Sequence, residues 1–445
     1  MTAPRPKTIA LPYAARQAAA VGRLPGAEIA WLRRLREESL ARVVDGGVPS
    51  PRVERWKYTN LNALAQVEFE TAANEAGAPA TVALPRFLAD DVAVHRMVFL
   101  NGAFRRELSD VAGLPGGATV ESLADVLARA PQDLAAHFQG HKALDGLAAL
   151  NTALMADGVV IRLAPETRLE RPLLLVFLGG SNDRALAAHP RNLIIAGAGA
   201  RATVIELYAP AADTAYWSQP VTEIAVGRGA ELRHYKCQQE SLRAFHLATT
   251  TVRVEADGRY DSFALATGGA LARNEVTVTL DGPGASCRLD GGYLGRGRQH
   301  IDTTTEIVHA KPHTTSHEAF KGVLDEQGRG VFQGRILVEK DAQKTDGQQS
   351  CRTLLLSDRA EIDTKPELEI YADDVKCGHG ATVGEIEPDA LFYLRARGID
   401  EVEARRMLIE AFLGDVLEDI ADESVRSGFA QAVGSWLAGV TEGAR

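Results

Sequence analysis

The sequence predicts a mainly β protein, a β-solenoid with helical regions at both ends. Between Asp157-Gly158 and about residue 384 the chain is a series of short β-type runs with no helical stretch between them. They include Val159-Val160-Ile161, Leu173 to Leu178, Leu193-Ile194-Ile195, Val204 to Tyr208, Thr250 to Val254 and Glu275 to Leu280. Small-residue turns punctuate these runs at a nearly fixed interval, since Gly199, Gly229, Gly258 and Gly284 stand 30, 29 and 26 residues apart. Two short strands and their turns per repeat is the spacing of stacked solenoid rungs. Sandwiches and barrels also string short strands together, so the period favours the solenoid without excluding them.

The regions on either side read differently. From Ala27 to Val44 the residues Ile29, Leu32, Leu35, Leu40 and Val43 have helical spacing, with Arg33, Arg34, Glu37 and Glu38 on the other face. Pro49 and Pro51 precede Glu54-Arg55-Trp56-Lys57-Tyr58-Thr59-Asn60-Leu61, and a polar, alanine-rich connection follows through residue 85. Arg96 to Leu100 reads as a strand turning at Asn101-Gly102, and Glu121 to Ala130 and Leu144 to Met155 read as helical. After Pro388, Asp389 to Arg397 forms a short helix ended by Gly398. Asp400 and Glu403 give a capping-box-like start to a long helix carrying Val402, Leu408, Ile409, Phe412, Val416 and Ile420. A last helix runs from about Ser424 to Val440, with Phe429, Val433, Trp436 and Leu437 on one face. This terminal module either caps the solenoid end or is offered to a partner. The expected division is 1–155, mixed and mostly helical; 156–384, the solenoid; and 385–445, the helical module.

Composition narrows the function. The 445 residues carry 49 Lys and Arg against 59 Asp and Glu, a formal charge of −10. That balance argues against nucleic acid or an anionic membrane as the main partner, because both need clustered cations. No window reaches the ~18 apolar residues of a membrane span, and Pro4, Pro6 and Pro12 break the N-terminus, so a cytoplasmic location with reduced thiols is expected. Cys237, Cys287, Cys351 and Cys377 contain no C-x-x-C pair and fit neither a resident cluster, a zinc ribbon nor a disulfide framework. The first three read as core or turn thiols.

Several motifs can be weighed. No G-x-x-x-x-G-K-[ST] occurs, and Gly378 to Gly384 misses the dinucleotide spacing and opens no helix, so the chain is not expected to bind nucleotide itself. His309, His313 and His317 stand at i, i+4 and i+8; Pro312 argues against a helix, and on a strand they span ~13 Å, too far for one ion, so a polar ladder is expected. Glu361, Asp363, Glu367 and Glu369 alternate with apolar residues, as on a solvated strand face. They are also the best carboxylates for the alternative of a β-helix carbohydrate-active enzyme, a reading for which 6% aromatics leaves few stacking platforms. The sharpest constellation is Asp373-Asp374-Val375-Lys376-Cys377-Gly378-His379-Gly380. Its thiol and imidazole, two residues apart on an extended chain, point to the same side and can converge on a soft metal or cluster. Lys376 and His379 are expected to favour the Cys377 thiolate.

The stretches Phe332-Gln333-Gly334-Arg335-Ile336, Ala342-Gln343-Lys344-Thr345-Asp346, Leu354 to Ser357, Ile362 to Ile370, Asp374 to Gly384 and Leu391 to Ile399 together resemble the SufB/SufD family. The likeness is dense over the last ~120 residues and looser through the solenoid. Glu54-Arg55-Trp56-Lys57-Tyr58-Thr59 resembles the N-terminal signature of the SufD branch. His379-Gly380-Ala381 stands where SufB-type chains typically show His-Glu-Ala, so their acidic residue is absent. The resemblance implies a right-handed parallel β-helix. It also implies a non-catalytic scaffold subunit for iron–sulfur cluster assembly, in a complex with a SufB-like paralogue and a SufC-like ABC-type ATPase that supplies the missing P-loop. Carried over, Cys377 and His379 become candidate ligands of a transient iron or Fe–S cluster shared with the SufB-like partner, with no tightly bound cofactor. Leu391, Phe392, Tyr393, Arg395, Arg397 and Ile399 become the surface that docks the ATPase. ATP-driven closure of that ATPase would open the interface between the two scaffold chains. The family is also linked to a reduced flavin, for which this sequence has no fingerprint. An isolated chain is expected to pair with itself through the same surface.

Overall fold

The computed structural model describes residues 8–72, 83–89, 91–138 and 146–443. Its centre is a parallel β-solenoid of eight rungs, whose strands we name β1 to β16 in chain order. The odd strands form one sheet: β1 (Val159–Leu163), β3 (Arg191–Ala196), β5 (Val221–Val226), β7 (Phe245–Val254), β9 (Leu271–Leu280), β11 (His300–His309), β13 (Arg329–Val338) and β15 (Glu361–Ile370). The even strands form the other: β2 (Leu173–Gly179), β4 (Arg201–Pro210), β6 (Glu231–Gln238), β8 (Arg259–Ala266), β10 (Ser286–Gly295), β12 (Thr315–Leu324), β14 (Asp346–Leu355) and β16 (Lys376–Gly384). Each strand pairs in parallel with the strand one rung away, so equivalent side chains stack in columns about 4.8 Å apart.

Alternation along each strand sends one set of side chains into the lumen. Val204, Leu232, Tyr260, Leu289 and Phe320 of the even sheet meet Ile194, Ile224, Val252, Val278 and Ile307 of the odd sheet there. One column shows the stacking directly: the rings of Phe99, Phe177 and Tyr208 lie 5.0 and 4.8 Å apart and nearly parallel. Phe99 belongs to the strand His95–Leu100, which extends the even sheet ahead of β2, while Ala118–Ser122 runs antiparallel to β1 and closes the first rung.

The corner leading from each odd strand but the last toward the next even strand takes a left-handed residue. Glu166, Gly199, Gly229, Asp257, Gly284, His313 and Lys344 hold it, with φ between 56 and 73°. Gly258 is not among them; its neighbour Asp257 turns the corner. The predicted histidine ladder is likewise corrected. His309 ends β11 and faces inward to Thr314 and Ser316, His313 occupies the left-handed corner, and His317 lies on β12 beside Asp290 on the outside. A corner between two strands cannot carry a single-strand ladder.

Helices cover both flanks. The helix α1 (Ala30–Gly46) packs on α2 (Gly146–Leu154), and the N-terminal residues Trp56, Leu61 and Phe69 seal the odd sheet over Trp217, Phe245 and Leu271. Leu144 lies outside the described residues, as do residues 73–82 of the connection and residues 1–7. The helix expected from Glu121 begins at Leu123, because Glu121 and Ser122 finish a strand and the Ser122 hydroxyl accepts from Asp125 N. At the other end come α3 (Pro388–Arg395), α4 (Glu401–Glu418) and α5 (Glu423–Gly443). Asp400 caps α4 by accepting from Glu403 N at 3.1 Å, but the Glu403 carboxylate turns to Arg406, so only half of a capping box forms. Ile409, Leu413, Val416, Phe429 and Val433 lie over Tyr235, Phe263, Leu265 and Val323 on the outside of the even sheet. The terminal module therefore runs along the flank and leaves the last rung uncovered.

Candidate functional site

The uncovered rung concentrates the candidate residues. β15 and β16 pair on one side only and end their sheets. Ile370, Tyr371 and Val383 beside them are exposed apolar residues. An edge with free N–H and C=O groups and exposed apolar side chains is a template for another strand.

Cys377 and His379 both lie on β16, on its lumen-facing side, as their spacing required. Cys377 is half-buried against Ile336, Val338, Ala342 and Ala372 and stands opposite Gly347. His379 is exposed and stands opposite Gln349. The expectation that Lys376 and His379 favour the thiolate is corrected. Burial pushes the Cys377 thiol above its ordinary value; a backbone hydrogen bond with Gly347 opposes this, and nearby Asp346 adds a lesser push upward. Lys376, one residue away on a strand, projects to the opposite face.

Among the described residues, no group of three or more His, Cys, Asp or Glu side chains is gathered to hold a metal ion. Cys377 and His379 would offer a metal one sulfur and one nitrogen, half of a tetrahedral set. The other thiols are buried. Cys351 is pushed up to about 11, and Cys237 and Cys287 also rise through desolvation.

Other motifs resolve into structural roles. On the outside of β15, Asp363 pairs with Arg329 at 2.6 Å, Glu369 with Arg335 at 2.5 Å and Glu367 with Lys365 at 3.2 Å, while Glu361 lies 4.0 Å from Arg329. These carboxylates form a charge-paired ladder, unlike the free facing pair that glycoside chemistry needs. The Glu54 to Thr59 segment clamps onto the same face. The Arg273 guanidinium lies 4.1 Å from the Trp56 ring centroid, Arg55 bridges Glu275 and Glu306, Thr59 Oγ1 donates to Asp302, and Lys365 reaches Glu54 at 2.6 Å. Arg273 is buried and paired with Asp302 and Glu275.

On α3, Phe392 and Tyr393 are 73% and 55% exposed, and the Arg397 guanidinium lies 3.5 Å from the Tyr393 ring centroid. Arg395 and Arg397 are exposed; Leu391 and Ile399 are half-buried. Val402 and Met407 of α4 add further exposed apolar surface. Two large aromatics exposed beside arginines have the composition of a binding surface.

The residues beneath the pair were not singled out from the sequence. Gly347, Ser316 and His309 underlie Cys377, and Gln349 and Glu318 underlie His379. The signal for them is the rung offset itself, 30 residues from Cys377 to Gly347 and from His379 to Gln349.

The fold defines a parallel β-helix protein, sealed along its flanks by helices and open at its last rung, whose edge strand carries a thiol and an imidazole. Residues 177–412 match the family described as SUF system FeS cluster assembly, SufBD core domain, and residues 20–175 match the SufBD protein N-terminal region. The chain is 34% identical over 397 residues to an iron-sulfur cluster assembly SufBD family protein of Synechocystis, covering 87% of each. It is 33% identical over 405 residues to the iron-sulfur cluster assembly protein SufD of Escherichia coli, covering 91% of this chain and 92% of that one. The SufD of Bacillus subtilis is 26% identical over 438 residues. The chain belongs to the SufB/SufD family of iron–sulfur cluster assembly proteins and is SufD-like. Among the described residues, no helix is long and apolar enough to cross a membrane.

Proposed function

We propose that this chain is a non-catalytic scaffold subunit. It works with a SufB-like paralogue and a SufC-like ATPase, and holds iron or a nascent cluster for a short time between its own last rung and the paralogue. The observation that carries the reading is the half-complete donor set of Cys377 and His379 on an edge strand paired on one side only. Such a set becomes a metal site only when a second chain brings further donors, and the free edge is where a second chain adds. A raised thiol pKa suits a transient role, because Cys377 stays protonated and weakly binding until a metal displaces the proton.

The aromatic surface of Phe392 and Tyr393, flanked by Arg395 and Arg397, is the dock for the ATPase in this reading. Removing residues 386–445 would strip α4 and α5 from the even sheet and bare its apolar face, so docking is better tested by surface substitution. Anaerobic purification of the tagged chain, read by native mass spectrometry, should recover a SufB-like and a SufC-like protein, and Phe392→Ala/Tyr393→Ala should lose only the second. Recovery of neither from the wild type overturns the complex. A self-paired chain would instead favour the homodimer, which the same free edge supports.

A further inference from the structure

His379 stands over Gln349 in the register of β16 on β14, and Gln349 stands over Glu318 in that of β14 on β12. Three polar side chains thus form one column running inward from the open rung, and its two inner members are buried. Gln349 Nε2 donates to Glu318 Oε2 at 2.6 Å, which fixes the way the amide points. Its oxygen, Oε1, is buried without a hydrogen-bond partner among the described residues. Room for the amide is made by Gly334, where a Cβ would come within 2.2 Å of Gln349 Nε2. A buried amide with its nitrogen anchored and its oxygen unpartnered, one strand beneath an imidazole, has the attributes of a group that selects a histidine tautomer. A histidine that ligates metal through one nitrogen ordinarily donates the other N–H to such an acceptor.

We propose that Gln349, anchored by Glu318, is a positioning residue for His379: its amide oxygen, unpartnered in this structure, takes one ring N–H once the imidazole turns inward, and leaves the other nitrogen unprotonated toward the open rung. This deepens the reading of Cys377 and His379 as a metal-handling pair and rests on it. An acceptor beneath the ring keeps the ligating lone pair facing the partner before metal arrives, so the pair is preorganised.

The test is long-range 1H–15N correlation on the full chain labelled with 15N-histidine at a pH where imidazoles are neutral, with H379A identifying the signal. The expected result is one dominant His379 tautomer in the wild type and averaged nitrogen shifts in Q349L, with the buried His309 signal unmoved as a check on the fold. Averaged nitrogens in the wild type, or an unchanged tautomer in Q349L, overturn the positioning role; if Q349L fails to fold, the wild-type tautomer alone decides. The underlying pair is tested separately by cluster yield in H379A. A normal yield there sinks the metal role whatever the tautomer, whereas a reduced yield with a tautomer indifferent to Q349L sinks only the positioning.

Discussion

Cys377 stands directly over Gly347 in the register of the last two even strands, and the next side chain in that column is Ser316, hydrogen-bonded to His309 Nε2 at 2.9 Å. A Cβ on Gly347 would already approach Ser316 Oγ to 3.3 Å and His309 Nε2 to 3.5 Å. The glycine therefore keeps a narrow, side-chain-free layer between the thiol and the polar groups below it.

That placement makes Cys377 the one half-buried thiol against three buried ones. Iodoacetamide at pH 8 should modify one cysteine in the native chain, Cys377, and none in C377S; Cys237, Cys287 and Cys351 should react only after unfolding. Because burial raises the Cys377 pKa, its rate should climb steeply between pH 7 and 9. Peptide mass spectrometry at timed intervals reads both outcomes.

Glu318 gives a pH dependence with a definite sign. Desolvation pushes its carboxyl up from 4.5 to about 7. Between those values the folded chain keeps a proton that the unfolded chain has released, so the contribution to stability is complete below 4.5 and is lost as pH rises through 7. E318Q has no proton to hold, so the stability of wild type relative to E318Q should fall by on the order of 3 kcal/mol across that window. Urea unfolding at several pH values measures it, and parallel curves would contradict the burial argument.

Arg273 and Trp56 test the clamp that joins the N-terminal segment to the odd sheet. R273M strips Asp302 and Glu275 of their buried partner and should cost about 3–5 kcal/mol. W56A should cost a similar ~3–5 kcal/mol. Because the guanidinium lies on the ring, the double variant should lose less than the sum. Chemical unfolding of the four proteins closes the cycle.

Phe392 and Tyr393 should behave in the opposite way. Both are exposed, so F392A/Y393A should stay within about 0.5 kcal/mol of wild type in thermal unfolding. Recovery of the ATPase partner should nevertheless be lost. A large fall in stability would mean that the pair serves the fold instead of docking.

Much of this was legible in the residues. The alternation and the Gly199–Gly229 interval reported the solenoid because those corners need a left-handed residue, and glycine adopts it without strain. The interval fades later because Asp257, His313 and Lys344 take the same φ, which hides the rung from a search for glycine. Cys377 and His379 were legible as a pair because strand alternation is local. Gln349 and Glu318 were not, since their relation to His379 depends on the stacking of whole rungs. The position of α4 and α5 was equally hidden, because an apolar helix face reads the same whether it covers a solenoid's end or its flank.

The central claim is that Cys377 and His379 handle the cargo at an interface. It is tested most directly by cluster reconstitution on the purified complex carrying Cys377→Ala and His379→Ala together, with native mass spectrometry of the same sample. The account predicts an intact complex with a strongly reduced cluster yield. An intact complex with wild-type yield would contradict it.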